Sequence, residues 1–131
     1  MIVKIDFNSE EAIYIQLRNQ IIMGIATSQI GLGESLPSVR QMAQYIGVNM
    51  HTVNKAYSVL KQDGYIKLDR RRGAVVDISD DKKIAYEQLF ADMKMVLAEA
   101  MCKNISADEI HAMVDEIYGR YACKGGEKDA L

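Results

Sequence analysis

Apolar residues recur along this chain with two different periods, and the changes of period divide it into elements. Tyr14, Leu17, Ile21, Ile22 and Ile25 return at helical spacing, with polar Gln16, Arg18, Asn19 and Gln20 between them. The pattern predicts an amphipathic helix that starts at Asn8 or Ser9 and is stopped by Gly31 and Gly33. Residues 31–35 (Gly-Leu-Gly-Glu-Ser) then read as a turn-rich connection. Pro37 pushes Leu36 out of helical geometry. Ser38, with Gln41 three residues on, forms a capping box for a short helix carrying Val39, Met42, Ala43 and Ile46 on one side. Gly47 closes that helix at a position suited to left-handed backbone. Asn49 caps the next one, whose Val53, Ala56, Tyr57 and Leu60 share a face and which ends at Asp63-Gly64. Two short helices joined by a tight glycine-containing turn are the signature of a helix-turn-helix.

The period then falls to two. Residues 65–69 alternate, Arg70-Arg71-Arg72-Gly73 is a charged turn, and residues 74–78 are rich in β-branched side chains, which predicts a β-hairpin. From Asp80 the helical period returns through Ala85, Leu89, Met93, Val96, Leu97, Ala100 and Met101, ending near Lys103-Asn104. Ser106 and Glu109 make a second capping box, followed by Ile110, Met113, Val114, Ile117, Tyr118 and Tyr121 at helical spacing. The last seven residues, GGEKDAL, read as frayed. The expected fold is mainly α with a small β-hairpin: a winged helix-turn-helix domain over residues 1–79 and a C-terminal helical hairpin over residues 80–131.

Composition narrows the class. The chain has 131 residues, 49% hydrophobic and 26% charged, with nine Gly and one Pro, which suits one domain plus an appendage without long flexible linkers. No stretch approaches the roughly 18 uninterrupted apolar residues of a membrane span. The opening MIVKIDFNSEEAIY has no basic segment followed by an apolar one, so a cytoplasmic protein with no membrane partner is expected. Cys102 and Cys123 lack CxxC spacing, which argues against zinc, and both are expected as inert buried thiols rather than redox sensors.

Charge changes the picture more. The net charge is −2, a poor match for a polyanion ligand until its distribution is read. Residues 30–79 carry seven basic side chains against four acidic ones, whereas residues 80–131 carry seven against eleven. A basic middle joined to an acidic tail fits a nucleic-acid reader attached to an association module.

The candidate chemistry lies in the basic middle. Asn49, Met50, His51, Thr52, Asn54 and Lys55 fall off the apolar stripe of the third helix, at the end that a helix-turn-helix presents to base edges in the major groove. Asn pairs with adenine, Thr meets a base edge or a phosphate, and Met touches a thymine methyl. Arg40, together with the Ser38 hydroxyl and the backbone amides beside it, suits a phosphate. Arg70, Arg71 and Arg72 repel one another at a tight turn, and a polyanion neutralises them by entry into a minor groove or contact with its phosphates, while Gly73 permits close backbone approach. His51 has no ligand-type neighbour in sequence. His111 with Asp108 and Asp115 has helical spacing for a metal, but a solvated acidic face is the expected reading, and no metal or cofactor is expected. There is no P-loop, GxGxxG, GxSxG or HExxH, so catalysis is not expected.

These residues resemble a family, the GntR-type winged-helix regulators. The similarity runs through Ile13-Tyr14-x-Gln16-Leu17 and Gly33-Glu34-x-Leu36-Pro37-Ser38-Val39-Arg40-Gln41-Met42-Ala43. It continues through Gly47-Val48-Asn49-x-x-Thr52-Val53-x-Lys55-Ala56-Tyr57-x-x-Leu60, Gly64-Tyr65-Ile66 and Arg72-Gly73. The short remainder is similar to the YtrA-like branch, in which a pair of helices replaces larger ligand-binding domains. The resemblance implies a homodimer on a two-fold symmetric double-stranded operator, usually as a repressor. It also implies DNA contacts from Arg40, the stretch from Asn49 to Thr52, and Arg72-Gly73. Met50 and His51 depart from the pattern, where Pro or Arg followed by Asn or Thr is common, and these two positions are expected to set the operator sequence.

The tail holds more apolar positions than a lone hairpin buries. Self-association through Leu89, Met93, Val96, Leu97, Ile110, Met113, Val114 and Ile117 is the expected solution. Met93, Met95, Met101 and Met113 leave a small-molecule effector open without indicating one. The rival reading is a winged-helix protein-interaction adaptor with no specific DNA target.

Overall fold

The computed structural model describes residues 3–78 and 81–122. The chain divides into two compact units, Met1–Ser79 and Asp80–Leu131, each considered by itself.

In the first unit three helices, α1 (Ile13–Ala26), α2 (Val39–Ile46) and α3 (Met50–Gln62), precede a hairpin of β1 (Ile66–Asp69) and β2 (Gly73–Val76). Leu17 and Ile21 of α1, Met42 of α2, and Val53 and Leu60 of α3 are fully buried, together with Ile30, Ile66 and Val76. These side chains are the apolar stripe of each element, so one core fixes all five. The capping signals act as local chemistry requires. Ser38 accepts from the Gln41 amide at 3.1 Å while Gln41 accepts from the Ser38 amide at 3.0 Å. Gly47 closes α2 in left-handed geometry, with φ of 72°. Asn49 Oδ1 caps α3 by accepting from the His51 amide at 2.7 Å.

The limits of α1 differ from the expectation at both ends. The helix starts at Ile13 rather than at Asn8 or Ser9, and Ala12 offers no side-chain cap. Residues 6–11 form a turn instead, held from inside the helix by Gln16. Its buried amide accepts from the Asp6 N–H at 2.8 Å and donates to the Asp6 and Glu11 carbonyls at 3.0 Å. One turn further on, Gln20 accepts from the Lys4 amide at 2.8 Å and donates back to the Lys4 carbonyl. The two glutamines lay residues 3–6 along α1 and bring Val3 into the core. At the other end α1 stops at Ala26, before Gly31 and Gly33, with Ser28 in left-handed backbone at φ of 63°. Ile30 then folds back over Gly24, where a Cβ would stand 2.7 Å from Ile30 Cδ1.

The connection read as a turn also carries β-pairing. The Leu36 amide donates to the Ala74 carbonyl at 2.8 Å, the Val76 amide to the Glu34 carbonyl at 2.9 Å, and Ser35 bridges Val75 in antiparallel sense. β1 and β2 pair with Ile66 opposite Val76 and Asp69 opposite Gly73, a ladder shorter than the expected 65–69 and 74–78. The expected class holds: mainly helical, with a small antiparallel hairpin as the wing.

In the second unit α4 (Lys82–Cys102) is capped by Asp81, which accepts from the Ile84 amide at 3.2 Å. Lys103 and left-handed Asn104 turn the chain, and Ser106 with Glu109 forms the expected capping box of α5 (Ala107–Ile117). Bonding to the Ser106 amide and hydroxyl holds the Glu109 carboxyl below the usual range. The expected continuation of this α-helix to Tyr121 is replaced by a wider π-type segment over Tyr118–Ala122. Cys102 is exposed rather than buried. Cys123 and the GGEKDAL end lie outside the described residues. No helix among the described residues is long and apolar enough to cross a membrane.

Candidate nucleic-acid interface

The first turn of α3 begins the site. Val53, Ala56, Tyr57 and Leu60 face the core, which turns Met50, His51, Asn54 and Lys55 outward, while Thr52 stands half-buried at the edge. Asn49 is exposed, but its carbonyl oxygen is committed to capping, so its NH2 group is the part left to donate to a base. His51, Thr52 and Lys55 line a shallow depression of about 470 Å³ with Ala12, Ile13 and Tyr14 of the α1 end. The Lys55 ammonium lies 4.2 Å from the centre of the Tyr14 ring.

The start of α2 is anchored to α3 by Tyr57, whose hydroxyl donates to the Pro37 carbonyl at 2.7 Å. Burial pushes this phenol far above its ordinary range, so it stays protonated and keeps donating. Arg40 is exposed in the first turn of α2. The Val39 and Arg40 amides make no hydrogen bond within the described residues, as expected for a helix start. Ser38 was expected to offer its hydroxyl to a phosphate. Its oxygen accepts in the capping box, which leaves the hydroxyl proton, the part a phosphate oxygen would accept, available.

At the hairpin tip the three arginines separate. Asp69 accepts from the backbone amides of Arg71 at 2.8 Å and Arg72 at 3.0 Å, and these bonds hold its carboxyl below the usual aspartate range. Gly73 completes the turn with φ of 74°, a conformation that disfavours any side chain. Arg72 directs its guanidinium to the Gly33 carbonyl, bracing the tip against the start of the third pairing segment. Arg70 and Arg71 are exposed, and neither they nor Arg40 or Lys55 is ion-paired among the described residues. The wing base carries a surface ion pair between Lys67 and Asp77 at 3.2 Å.

Such a surface has unpaired cations at two helix starts and a hairpin tip, over a helix-turn-helix core. A profile of the bacterial regulatory proteins of the gntR family matches residues 10–76, more than half of the chain and all of these elements. The chain belongs to the gntR family. It is 30% identical over 132 residues to the HTH-type transcriptional repressor YtrA of Bacillus subtilis, covering 97% of this chain and 98% of that one. Among solved structures, YtrA from Sulfolobus acidocaldarius, a GntR-family transcription factor, is 36% identical, with a TM-score of 0.57 over 89% of this chain and 97% of that one. A transcriptional antiterminator from Listeria monocytogenes EGD-e is 27% identical, with a TM-score of 0.77 over 96% and 95%.

As a gntR-family member the chain is a DNA-binding transcription regulator of the YtrA type, and the family is one of regulators rather than enzymes. The family supports this reading over the adaptor with no specific DNA target. Sequence reasoning does not assign three contacts at or beside this surface: the Tyr14 ring under Lys55, Gln16 under residues 6–11, and Asp69 under the wing-tip amides. Tyr14 and Gln16 stand there as a core position and a polar spacer within the family pattern, and Asp69 as the end of an alternating strand. A glutamine inside a helix gives no sign of which loop it will hold, whereas Asp two residues before a turn amide is a local signal that was available.

Proposed function

We propose that this regulator is a cytoplasmic repressor that binds a two-fold symmetric operator as a homodimer. In this reading α3 enters the major groove, with Met50, His51 and Asn54 facing base edges and Asn49 and Thr52 at the groove margin. Arg40 and the open amides at the start of α2 take a backbone phosphate. Arg70, Arg71 and Gly73 bring the wing to the minor groove or its phosphates, and Arg72 holds the wing in position from behind. Residues 1–79 are the DNA-binding domain and residues 80–131 the dimerisation tail. The observation that carries this reading is the exposed first turn of α3, whose opposite face is locked in the core, so the reading side chains are presented by a rigid element.

The proposal for the tail rests on exposure. Leu89, Val96, Met113, Val114 and Ile117 are exposed, while Met93, Leu97 and Ile110 line an apolar groove of about 380 Å³ between α4 and α5. A second copy covers these residues, and the two α3 helices then lie about one DNA turn, roughly 34 Å, apart. Selection of bound sequences from random duplex DNA tests the whole reading. The expected product is an inverted repeat with half-sites about one turn apart, and recovery of no enriched motif would reject it.

A further inference from the structure

α1 and α3 pack through the core, and one further contact between them lies at its margin and involves a cation. Lys55 is exposed on α3, no carboxylate pairs with it among the described residues, and yet its ammonium sits 4.2 Å from the centre of the Tyr14 ring. Tyr14 is half-buried in the first turn of α1 and packs against the core, so its ring is a fixed platform rather than a mobile surface group. A lysine side chain has four rotatable carbons, and a free one samples many rotamers. The ring quadrupole attracts the ammonium and narrows that sampling. The same depression is walled by Thr52 and His51, so a hydroxyl and an imidazole stand beside the held cation. On the helical wheel of α3 Lys55 lies about 40° from His51 on the side of Thr52, the side that lines the depression with the start of α1. When a helix lies in the major groove, its flank faces the phosphodiester backbone that borders the groove.

We propose that Tyr14 is a positioning residue for DNA binding: its ring holds the Lys55 ammonium at the α1 flank of α3, where it takes a backbone phosphate. The ligand class is a phosphodiester, and the contribution is to affinity and register rather than to base choice. The inference rests on the reading of α3 as the groove-entering helix. Pre-ordering Lys55 removes part of the entropy that the phosphate contact would otherwise cost.

The test uses the full chain and the duplex recovered by selection, with affinity measured across a salt series and thermal melting recorded for each variant. Lys55→Met is expected to lower the slope of log affinity against log salt by about one, since one phosphate contact is lost. Tyr14→Leu keeps the charge, so the slope is expected to hold while affinity falls about two- to fivefold, the range of an exposed cation–π contact. Tyr14→Phe keeps the ring and is expected to bind as the parent does. The double variant Tyr14→Leu with Lys55→Met is expected to match Lys55→Met alone, because a platform with nothing to hold has no further effect. Additive losses in the double variant would overturn the proposal. So would a loss in Tyr14→Phe, which would show that the phenol hydroxyl itself contacts DNA. If the unaltered chain binds no duplex, the functional reading itself fails. If it binds and Tyr14→Leu melts and binds unchanged, only the role of Tyr14 is lost.

Discussion

The two units of this chain solve the burial problem in opposite ways. In the first, fourteen apolar residues from Val3 to Val76 close into one core cluster, and every element contributes to it. In the second, Ala100 is the single buried apolar residue among those described, while Leu89 and Phe90 are 59% and 57% exposed. A helix that is apolar around most of its circumference calls for covering on more than one side. At 1.5 Å per residue, α5 with 11 residues spans about half the length of α4 with 21. The half of α4 near Tyr86, Leu89 and Phe90 therefore extends past α5, and these side chains are exposed among the described residues. The comparison teaches that the first unit closes a core of its own, whereas the described residues of the second leave most of their apolar surface open, as the proposed dimer requires.

Substitutions that separate the units give the sharpest tests. The largest effect is expected from Leu60→Ala, which leaves a cavity in the closed core and costs about 2–5 kcal/mol of unfolding free energy, measured by denaturant titration. A loss as large from Leu89→Ala in the tail, in a dilute sample, would break the distinction between the units. Next, Val96→Asp with Ile117→Asp places charges on the uncovered faces. Sedimentation should then show monomers with helical content retained, and operator affinity should fall at least tenfold as two-site binding is lost. Arg70→Ala with Arg71→Ala should leave assembly intact and lower the salt slope of duplex binding by about two. Arg72→Ala should change affinity with a smaller effect on that slope, since its guanidinium faces the Gly33 carbonyl.

A matched pair of caps offers a finer comparison. Ser38→Ala and Ser106→Ala each remove one capping box and should each cost about 1 kcal/mol in the local helix. The first should shift global melting, while the second should register in hydrogen exchange of α5. The smallest effect concerns pH. Asp69 has its folded pKa lowered by the Arg71 and Arg72 amide bonds, so its contribution to the wing is complete at neutral pH. That contribution is lost as pH falls from the ordinary aspartate value, about 4, through the lower folded value. Amide shifts of Arg71 and Arg72 followed by NMR should move in that window and stay still in Asp69→Asn.

Much of the interface was legible because its signals are local. Ser38 with Gln41, Asn49, Gly47, and Ser106 with Glu109 act on groups within four residues, so spacing along the chain is also spacing in space. The outward turn of Met50, His51 and Asn54 follows from the apolar period of α3 alone. The start of α1 was misread because Asn8 and Ser9 look like caps, while the chain there is held by Gln16 from 10 residues away. The pairing of residues 34–36 with β2 was missed because its partners lie about forty residues downstream, beyond any periodic signal.

By itself, then, the sequence determined the helices, the caps of α2, α3 and α5, the hairpin turn and the basic character of the middle of the chain. Each depends on side-chain period, backbone freedom or charge that a short window contains. Tertiary structure alone decided where α1 begins, that the wing gains a third pairing segment, that Arg72 reaches the Gly33 carbonyl 39 residues away, and that Lys55 rests over Tyr14. Those outcomes depend on which distant surfaces meet when the core closes, and no local pattern records the meeting.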